Sequence, residues 1–236
     1  MKVIILAGGL GTRFSEETFD KPKPMIELCG EPILVHIMKS YQKYINCEFV
    51  VATGYLSDVI VDYLASSEFK ATGLNAVPLY TGEDSTTGAR IKHAIKFCSN
   101  EETVMATYGD GVSDLDLSSL LMFHNQHGKL ATVTAVRPSA RFGRLEISDD
   151  YVTSFSEKNQ TEEGWINGGF FVFNTKVYNY INPITEPLEH KPLRKLAADR
   201  QLMAYKHYGF WQPMDTLREK KELEELIQNK KAPWLS

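Results

Sequence analysis

Five apolar residues that stop abruptly at glycine narrow the possible folds of this chain more than any other feature. The run Val3-Ile4-Ile5-Leu6-Ala7 passes directly into Gly8-Gly9-Leu10-Gly11-Thr12-Arg13. A short apolar run with a glycine turn at its end reads as a buried strand and its loop. Glycines at 8, 9 and 11 permit positive φ and leave no Cβ between backbone and ligand. Successive amides in such a turn can cradle an anion, and Arg13 adds a planar fork of donors. Glycines also occur in turns for steric reasons alone. Arg13 and the nearby Lys21-Pro22-Lys23-Pro24 favour an anion site over that simpler explanation. The spacing is neither G-x-x-x-x-G-K-[ST] nor G-x-G-x-x-G with a later acid, which sets aside a P-loop and a dinucleotide fingerprint.

Strand and helix patterns then alternate. A helix is expected from about Pro32 to Ile45, with His36 a packed residue rather than a catalyst. A strand follows at Phe49–Thr53, a helix at about 56–64, and a short or edge strand at Val77–Tyr80, where Pro78 cannot donate to a central ladder. Gly82–Gly88 leads into another helix with Ile91, Ile95 and Cys98 inward and Arg90, Lys92 and Lys96 toward water. Polar residues before that helix can cap it, and the same amide end could meet a base or phosphate. Thr103–Tyr108 is a further strand, ending at Gly109-Asp110-Gly111. An acid there lies outside the carboxyl edge of a sheet, where α/β proteins place ligands; capping the turn is its simpler role. This alternation through about residue 128 points to a mostly parallel, layered α/β core.

The rhythm changes after that. Short strands are expected at 131–136, 145–147, 152–155 and 170–173, punctuated by Gly143, Gly164, Gly168 and Gly169, as a mixed-sheet extension over a ligand cleft. Arg137, Arg141 and Arg144 bring local positive charge. Trp165 and Phe210-Trp211 suit either a pocket floor or a core. Pro213-Met214-Asp215-Thr216 opens a charged helix for which Asp215 is a candidate N-cap, with a solvated surface from Arg218 to Glu225. The final Ala232–Leu235 is too short to classify.

At 236 residues, 43% of them hydrophobic, the chain suits a single domain: residues 1–128 mainly a nucleotide-binding core, 129–212 mainly an acceptor-binding mixed sheet, and 213–236 a terminal helix and tail. With 26 basic and 30 acidic residues the formal charge is −4, which offers no field for wrapping nucleic acid. Cys29, Cys47 and Cys98, odd in number and widely spaced, suit core thiols better than a metal site or disulfide framework. The chain enters a strand at its amino end and holds no membrane-length run, so no membrane association and a cytoplasmic location are expected.

Two carboxylates remain, Asp110 and Asp215. Magnesium prefers hard oxygen donors and often takes only one or two carboxylates beside phosphate and water. At these residues the chain resembles the sugar-nucleotide pyrophosphorylases, or nucleotidylyltransferases, and among them the cytidylyltransferases. The stretches that carry the likeness are LAGGLGTRFSEET, KPKPM, YGDGVSDLD, RFGRLEI, INGGFFVFN and GFWQPMDTLREK, spread over nearly the whole chain. The resemblance implies a nucleotide-diphospho-sugar transferase fold with a doubly wound, mostly parallel or mixed sheet and a smaller mixed-sheet extension. It implies Mg²⁺, CTP and a sugar 1-phosphate such as glucose 1-phosphate as partners, a CDP-sugar and pyrophosphate as products, and a homo-oligomer. Carried onto this chain, Leu6, Ala7, Gly8, Gly9, Gly11, Thr12 and Arg13 look like the nucleotide loop, Lys23 like its triphosphate-facing lysine, and Thr87 and Gly88 like part of the base pocket. Asp110 and Asp215 look like the metal pair. Gly143, Glu157, Lys158, Asn167 and Gly168 look like the acceptor site, with Arg13, Lys23, Asp110, Lys158 and Asp215 forming the catalytic set. The family's common EKP run is Glu157-Lys158-Asn159 here, and a charged insertion carried by glucose-specific relatives is missing between about Phe69 and Leu79. The residues themselves leave UTP or dTTP, another phosphorylated acceptor, and a non-catalytic nucleotide-sugar-binding regulator open.

Overall fold

In the computed structural model, which describes residues 1–11, 14, 18–138, 144–148, 150–156, 164–182 and 186–235, the first apolar run is strand β1 (Lys2–Ala7). Val3, Ile5 and Ala7 enter one core and Ile4 the other, the alternation of a pleated strand covered on both faces. A small antiparallel hairpin, β2 (Glu27–Leu28) with β3 (Glu31–Pro32), precedes helix α1 (Ile33–Tyr44). α1 buries Ile33, Leu34, Ile37, Met38 and Tyr41 against the Val3 and Ile5 face of the sheet, the stripe its spacing requires. Beside β1 runs the parallel β4 (Glu48–Thr53). Helices α2 (Ser57–Ala65) and α3 (Ser67–Ala71) lead to β5 (Ala76–Tyr80), parallel to β4 at the sheet's edge, where Pro78 costs no ladder bond to a further strand. α4 (Thr87–Phe97) covers the opposite face with Ile91, Ala94 and Ile95. β6 (Thr103–Tyr108) then pairs in parallel with the free side of β1. Strand order therefore reverses at β1, and the crevice at its carboxyl end is where such sheets bind ligands.

The rest of the chain extends the same sheet. β7 (Gly111–Ser113) and α5 (Leu117–His127) lead to β8 (Ala131–Val136), followed by a separate hairpin, β9 (Arg144–Ser148) with β10 (Tyr151–Ser156). β11 (Ile166–Asn167) and β12 (Phe171–Asn174) both pair antiparallel with β8, but only β12 also pairs with β6. Between them Gly169 and Phe170 hold φ of 74° and 44°. Phe170 keeps that unusual backbone while its ring stacks on Tyr41 in the core. α6 (Lys191–Ala198) returns the chain to β13 (Leu202–Lys206), parallel to β8. β14 (Trp211–Pro213) pairs antiparallel with β7, and α7 (Leu217–Gln228) and a final turn at Pro233–Leu235 close the fold. The result is a mixed, mostly parallel central sheet with helices on both faces. No helix among the described residues is long and apolar enough to cross a membrane.

Several local expectations change. Cys47 and Cys98 are buried, but Cys29 is exposed, because it sits at positive φ (52°) in the β2–β3 turn. Thr216, not Asp215, caps α7, accepting from the Glu219 amide. Arg90 does not face water: it is 3% exposed beneath the loops. The tail is not loose either. Trp234 is buried, stacks on Phe210 and donates to His36 Nδ1 at 3.5 Å, so His36 serves packing. Arg141 lies outside the described residues.

A buried polar cluster joins α5 to β8. The Lys129 amide donates to His127 Nδ1 at 2.9 Å, leaving the proton of that ring on Nε2. His127 Nε2 therefore donates to Thr132 Oγ1 (2.7 Å), whose own hydroxyl proton is free to reach His124 Nδ1 (2.8 Å). Burial, then the neighbouring His127, lower the His124 pKa to about 4. The unfolded chain binds the His124 proton near pH 6.5, so this group's stabilisation is present above that pH and is lost as pH falls toward 4. The loss reaches about 3 kcal/mol, or roughly 6–12 °C in melting temperature for a chain of this size. His127, also lowered by burial and by Lys129, acts in the same direction. We expect His124→Asn, which keeps an acceptor near Thr132, to melt less steeply with pH than wild type between pH 6.5 and 4 in thermal scans. Parallel slopes would contradict this assignment.

Candidate active site

Residues 110 and 215 meet because of a backbone ladder. β7 pairs with β14 at Gly111↔Pro213, Val112↔Gln212 and Ser113↔Trp211, and the Met214 amide extends the pairing to the Asp110 carbonyl at 2.7 Å. Asp110, just past the end of β6, thus lies opposite Met214, the residue before Asp215. Thr216 supplies the helix cap, so the Asp215 carboxylate is not spent there. Lys23 comes from a short 3-10 turn, Lys23–Met25, whose Pro24 and Met25 are buried. Its ammonium donates to Asp110 Oδ2 at 2.7 Å and also to Asp215 Oδ1. Burial is the largest single influence on Lys23 and opposes its charge, but the two carboxylates together outweigh it and hold its pKa above the ordinary lysine value.

The three side chains line a cavity of ≈ 300 Å³ with Leu6, Ala7, Gly8, Gly9 and Gly11. The loop after β1 and the acid after β6 therefore share one space at the sheet's switch point. Thr12 and Arg13 lie outside the described residues.

The other wall contains Arg90, which sequence patterning assigned to solvent. Its Nη1 donates to the Thr53 carbonyl (2.9 Å), Thr81 Oγ1 (2.7 Å) and the Gly82 carbonyl (2.8 Å). Its Nη2 donates to the carbonyls of Gly8 (2.7 Å) and Glu83 (3.0 Å). Burial lowers its pKa, although a guanidinium stays charged in proteins. One side chain thus ties together the loops after β1, β4 and β5. Glycine at position 8 is a consequence: a Cβ there would lie 2.2 Å from Arg90 Nη1. The clue available in sequence was electrostatic. A cation in the first turn of a helix opposes the helix dipole, so Arg90 is placed there for another purpose.

Thr87 reaches the cavity wall with Ser85, but Gly88 does not; it packs beneath the Glu186 carbonyl, 2.3 Å from where a Cβ would stand. The Thr87 hydroxyl donates to Glu189 (2.7 Å), and the same carboxylate accepts from the Tyr108 hydroxyl (2.6 Å). Burial, followed by the charge of Glu189, pushes the Tyr108 phenol above its ordinary pKa. Asn167 donates to the Tyr108 oxygen at 3.0 Å, and Trp211 Nε1 to the Gly168 carbonyl at 2.8 Å. Tyr108 lines the cavity, whereas Asn167 and Gly168 do not. Trp165, Phe210 and Trp211 do not line it. Gly143, Glu157 and Lys158 lie outside the described residues. Sequence patterning missed Tyr108, Glu189 and Arg90 as members of this site. Among the described residues, no group of three or more His, Cys, Asp and Glu converges to hold a metal.

A family model described as "Nucleotidyl transferase" matches residues 2–214. The chain is 44% identical, over an alignment 253 positions long, to a glucose-1-phosphate cytidylyltransferase of Salmonella typhi, covering 99% of this chain and 98% of that protein. It is 38% identical to a probable glucose-1-phosphate cytidylyltransferase of Bacillus subtilis (strain 168), with 99% of each covered. Its fold is similar to that of a putative glucose-1-phosphate thymidylyltransferase from Bacillus anthracis, with a TM-score of 0.73, 18% identity, and 97% and 96% of the two chains covered. A UDP-glucose pyrophosphorylase solved with UDP-glucose gives a TM-score of 0.72 at 17% identity over 97% and 98%.

If Arg90 holds the three loops, Arg90→Met leaves several carbonyls without their buried donor. We expect a loss of about 2–4 kcal/mol, read as a melting temperature lower by roughly 4–16 °C. A melting temperature within about 1 °C of wild type, an order-of-magnitude threshold for a chain of this size, would show that the loops hold without it.

Proposed function

The chain belongs to the nucleotidyl transferase family, and on that premise we propose that it transfers CMP from CTP to glucose 1-phosphate, releasing pyrophosphate and forming CDP-glucose. The observation that carries this reading is the meeting of Asp110, Asp215 and Lys23 beside the glycine loop in one cavity. Near-full-length identity to relatives named for that activity supports the choice of nucleotide and sugar.

Nucleotidyl transferases of this kind generally use a divalent metal. The residues present suit one, because oxygens of Asp110 and Asp215 already converge on a single cation, the Lys23 ammonium. These two carboxylates would hold Mg²⁺, a hard ion that accepts such donors. When bound, the ion offsets the crowded charge of the phosphates.

The remaining work belongs to binding and alignment. An oxygen of the sugar phosphate attacks the α-phosphorus of CTP, and the bond from that phosphorus to the bridging oxygen breaks as pyrophosphate leaves. The second ionisation of a phosphate ester lies near ~6, so the attacking group is largely dianionic at neutral pH and needs no protein base. Backbone of Gly8, Gly9 and Gly11, with Lys23 and Arg13, receives the triphosphate. Leu6, Ala7 and Thr87 line the cavity on the nucleotide side, and Thr12 is assigned to the same nucleotide contacts. Gly143, Glu157, Lys158, Asn167 and Gly168 receive the acceptor, Lys158 meeting its phosphate. Rate enhancement then comes from holding the reacting atoms together and neutralising oxygens where charge gathers.

Pyrophosphate release from CTP, glucose 1-phosphate and Mg²⁺ tests this directly, with UTP and dTTP in parallel. We expect CTP to be favoured by about tenfold or more in kcat/KM. Asp110→Asn should lower kcat by about 100-fold or more while keeping the wild-type circular dichroism spectrum. Near-normal turnover in that variant would remove Asp110 from the catalytic set. No turnover by the wild type with any sugar 1-phosphate, despite tight CTP binding, would favour a nucleotide-binding regulator.

A further inference from the structure

The two carboxylates are not open to a metal as they stand, because Lys23 already uses Asp110 Oδ2 and Asp215 Oδ1. We propose that Lys23 is an exchangeable counter-ion: it holds the acid pair until ion and nucleotide come together, and the triphosphate then takes the lysine as the ion takes the carboxylates. This rests on the nucleotide-site reading above and adds an order of events to it.

Three features support exchange by the side chain alone. The backbone at Lys23 is anchored, since the Met25 amide bonds to the Pro22 carbonyl (2.7 Å) and the Ile26 amide to the Lys23 carbonyl (3.1 Å), with Pro22 and Pro24 buried on either side. Four rotatable carbons carry the ammonium, which can turn without moving that backbone. Lys23 already lines the cavity that holds the glycine loop, so a phosphate bound there lies within the sweep of its side chain.

The charges explain why exchange would be coupled. Asp110, Asp215 and Lys23 together carry −1. An ion entering alone must break two charge-assisted hydrogen bonds and send the ammonium where no anion receives it. An ion entering with a triphosphate loses nothing on that count, because phosphate oxygens replace the carboxylates as acceptors. Ion and nucleotide should therefore assist each other, and by linkage the assistance is equal in both directions.

Mn²⁺ binding, followed by the electron paramagnetic resonance of the free ion, tests the exchange in wild type, Lys23→Met and Lys23→Gln, with Asp215→Asn added to Lys23→Met as a site control. Without nucleotide, both lysine variants should bind Mn²⁺ about tenfold tighter than wild type, and the control should lose that gain. With CTP, after correction for the Mn–CTP complex in solution, wild type should show strong mutual enhancement and the lysine variants a smaller one. Simple removal of a positive charge would also tighten Mn²⁺ binding. It would leave the enhancement unchanged or larger, because the triphosphate charge would no longer be shared with a lysine. An enhancement that does not shrink, or variants that bind Mn²⁺ no tighter than wild type, overturns the proposal. Failure of wild type to bind CTP would instead overturn the nucleotide-site reading, while the measurement without nucleotide still decides whether Lys23 excludes the ion.

Discussion

The site depends on three residue pairs of antiparallel ladder between β7 and β14. Without them, two acids separated by more than a hundred positions would sit on unrelated loops at the carboxyl edge of the sheet. With them, strand geometry sets the spacing: directly opposed Cα atoms lie about 4.5–5.5 Å apart, and the Met214–Asp110 hydrogen bond carries that register one step further. Two carboxylates brought this close repel unless a cation lies between them, and Lys23 supplies it. Folding and function therefore make the same demand. The chain needs a positive charge at this point to fold around it, and a cation is also what the proposed reaction requires there.

The cavity's second buried cation solves a different problem. Lys23 is balanced by acids, whereas the Arg90 guanidinium donates to four carbonyls and one hydroxyl. Backbone carbonyls that turn inward at loop ends must find donors, and one guanidinium offers five. Arg90 thereby converts three loops, each leaving a different strand, into one wall. The arrangement leaves its formal charge without an opposing carboxylate in those contacts, beside the space proposed for a triphosphate. A wall that is positive and rigid suits a polyanion better than a flexible loop would, since little order must be imposed at binding.

Much of this architecture was legible in sequence because it follows short-range rules. The apolar run before Gly8, the stripe of α1, the proline of β5 and the acid after β6 each announce themselves within a few residues. Features that failed to do so are set by tertiary partners. Arg90 follows the helical spacing of Ala94 and lies on the buried face, yet periodicity alone treats a charged residue as solvent-facing. Asp215 looked like a cap because Asp and Thr are both good caps, and only the register of β14 decides which of the neighbours takes that position. Cys29 has the composition of a core residue but occupies a two-residue hairpin turn. Glu189 carries no local signal, since its importance lies in reaching Thr87 and Tyr108 from far along the chain. β13 and α6 went unread for a similar reason: each is short, and each is stabilised by docking against β8 or its neighbours.

The relay through Glu189 bears on how a site without an acid–base group can work. Thr87 stands on the proposed nucleotide side, Asn167 on the proposed acceptor side, and both are linked through Glu189 and Tyr108 by bonds of 2.6–3.0 Å. β11, which carries Asn167, does not pair with β6, and pairing with β6 begins only after the turn at Gly168–Phe170. That departure leaves space at the end of β6, but it also removes the ladder that would have fixed the two halves of the cleft against each other. The side-chain relay restores the connection with polar bonds in place of backbone ones. For a displacement driven by alignment, the separation of the two substrates matters more than the basicity of any residue. The halves of the cleft must therefore be held at a set distance, and a half-buried carboxylate bridging two hydroxyls is a stiff way to hold them.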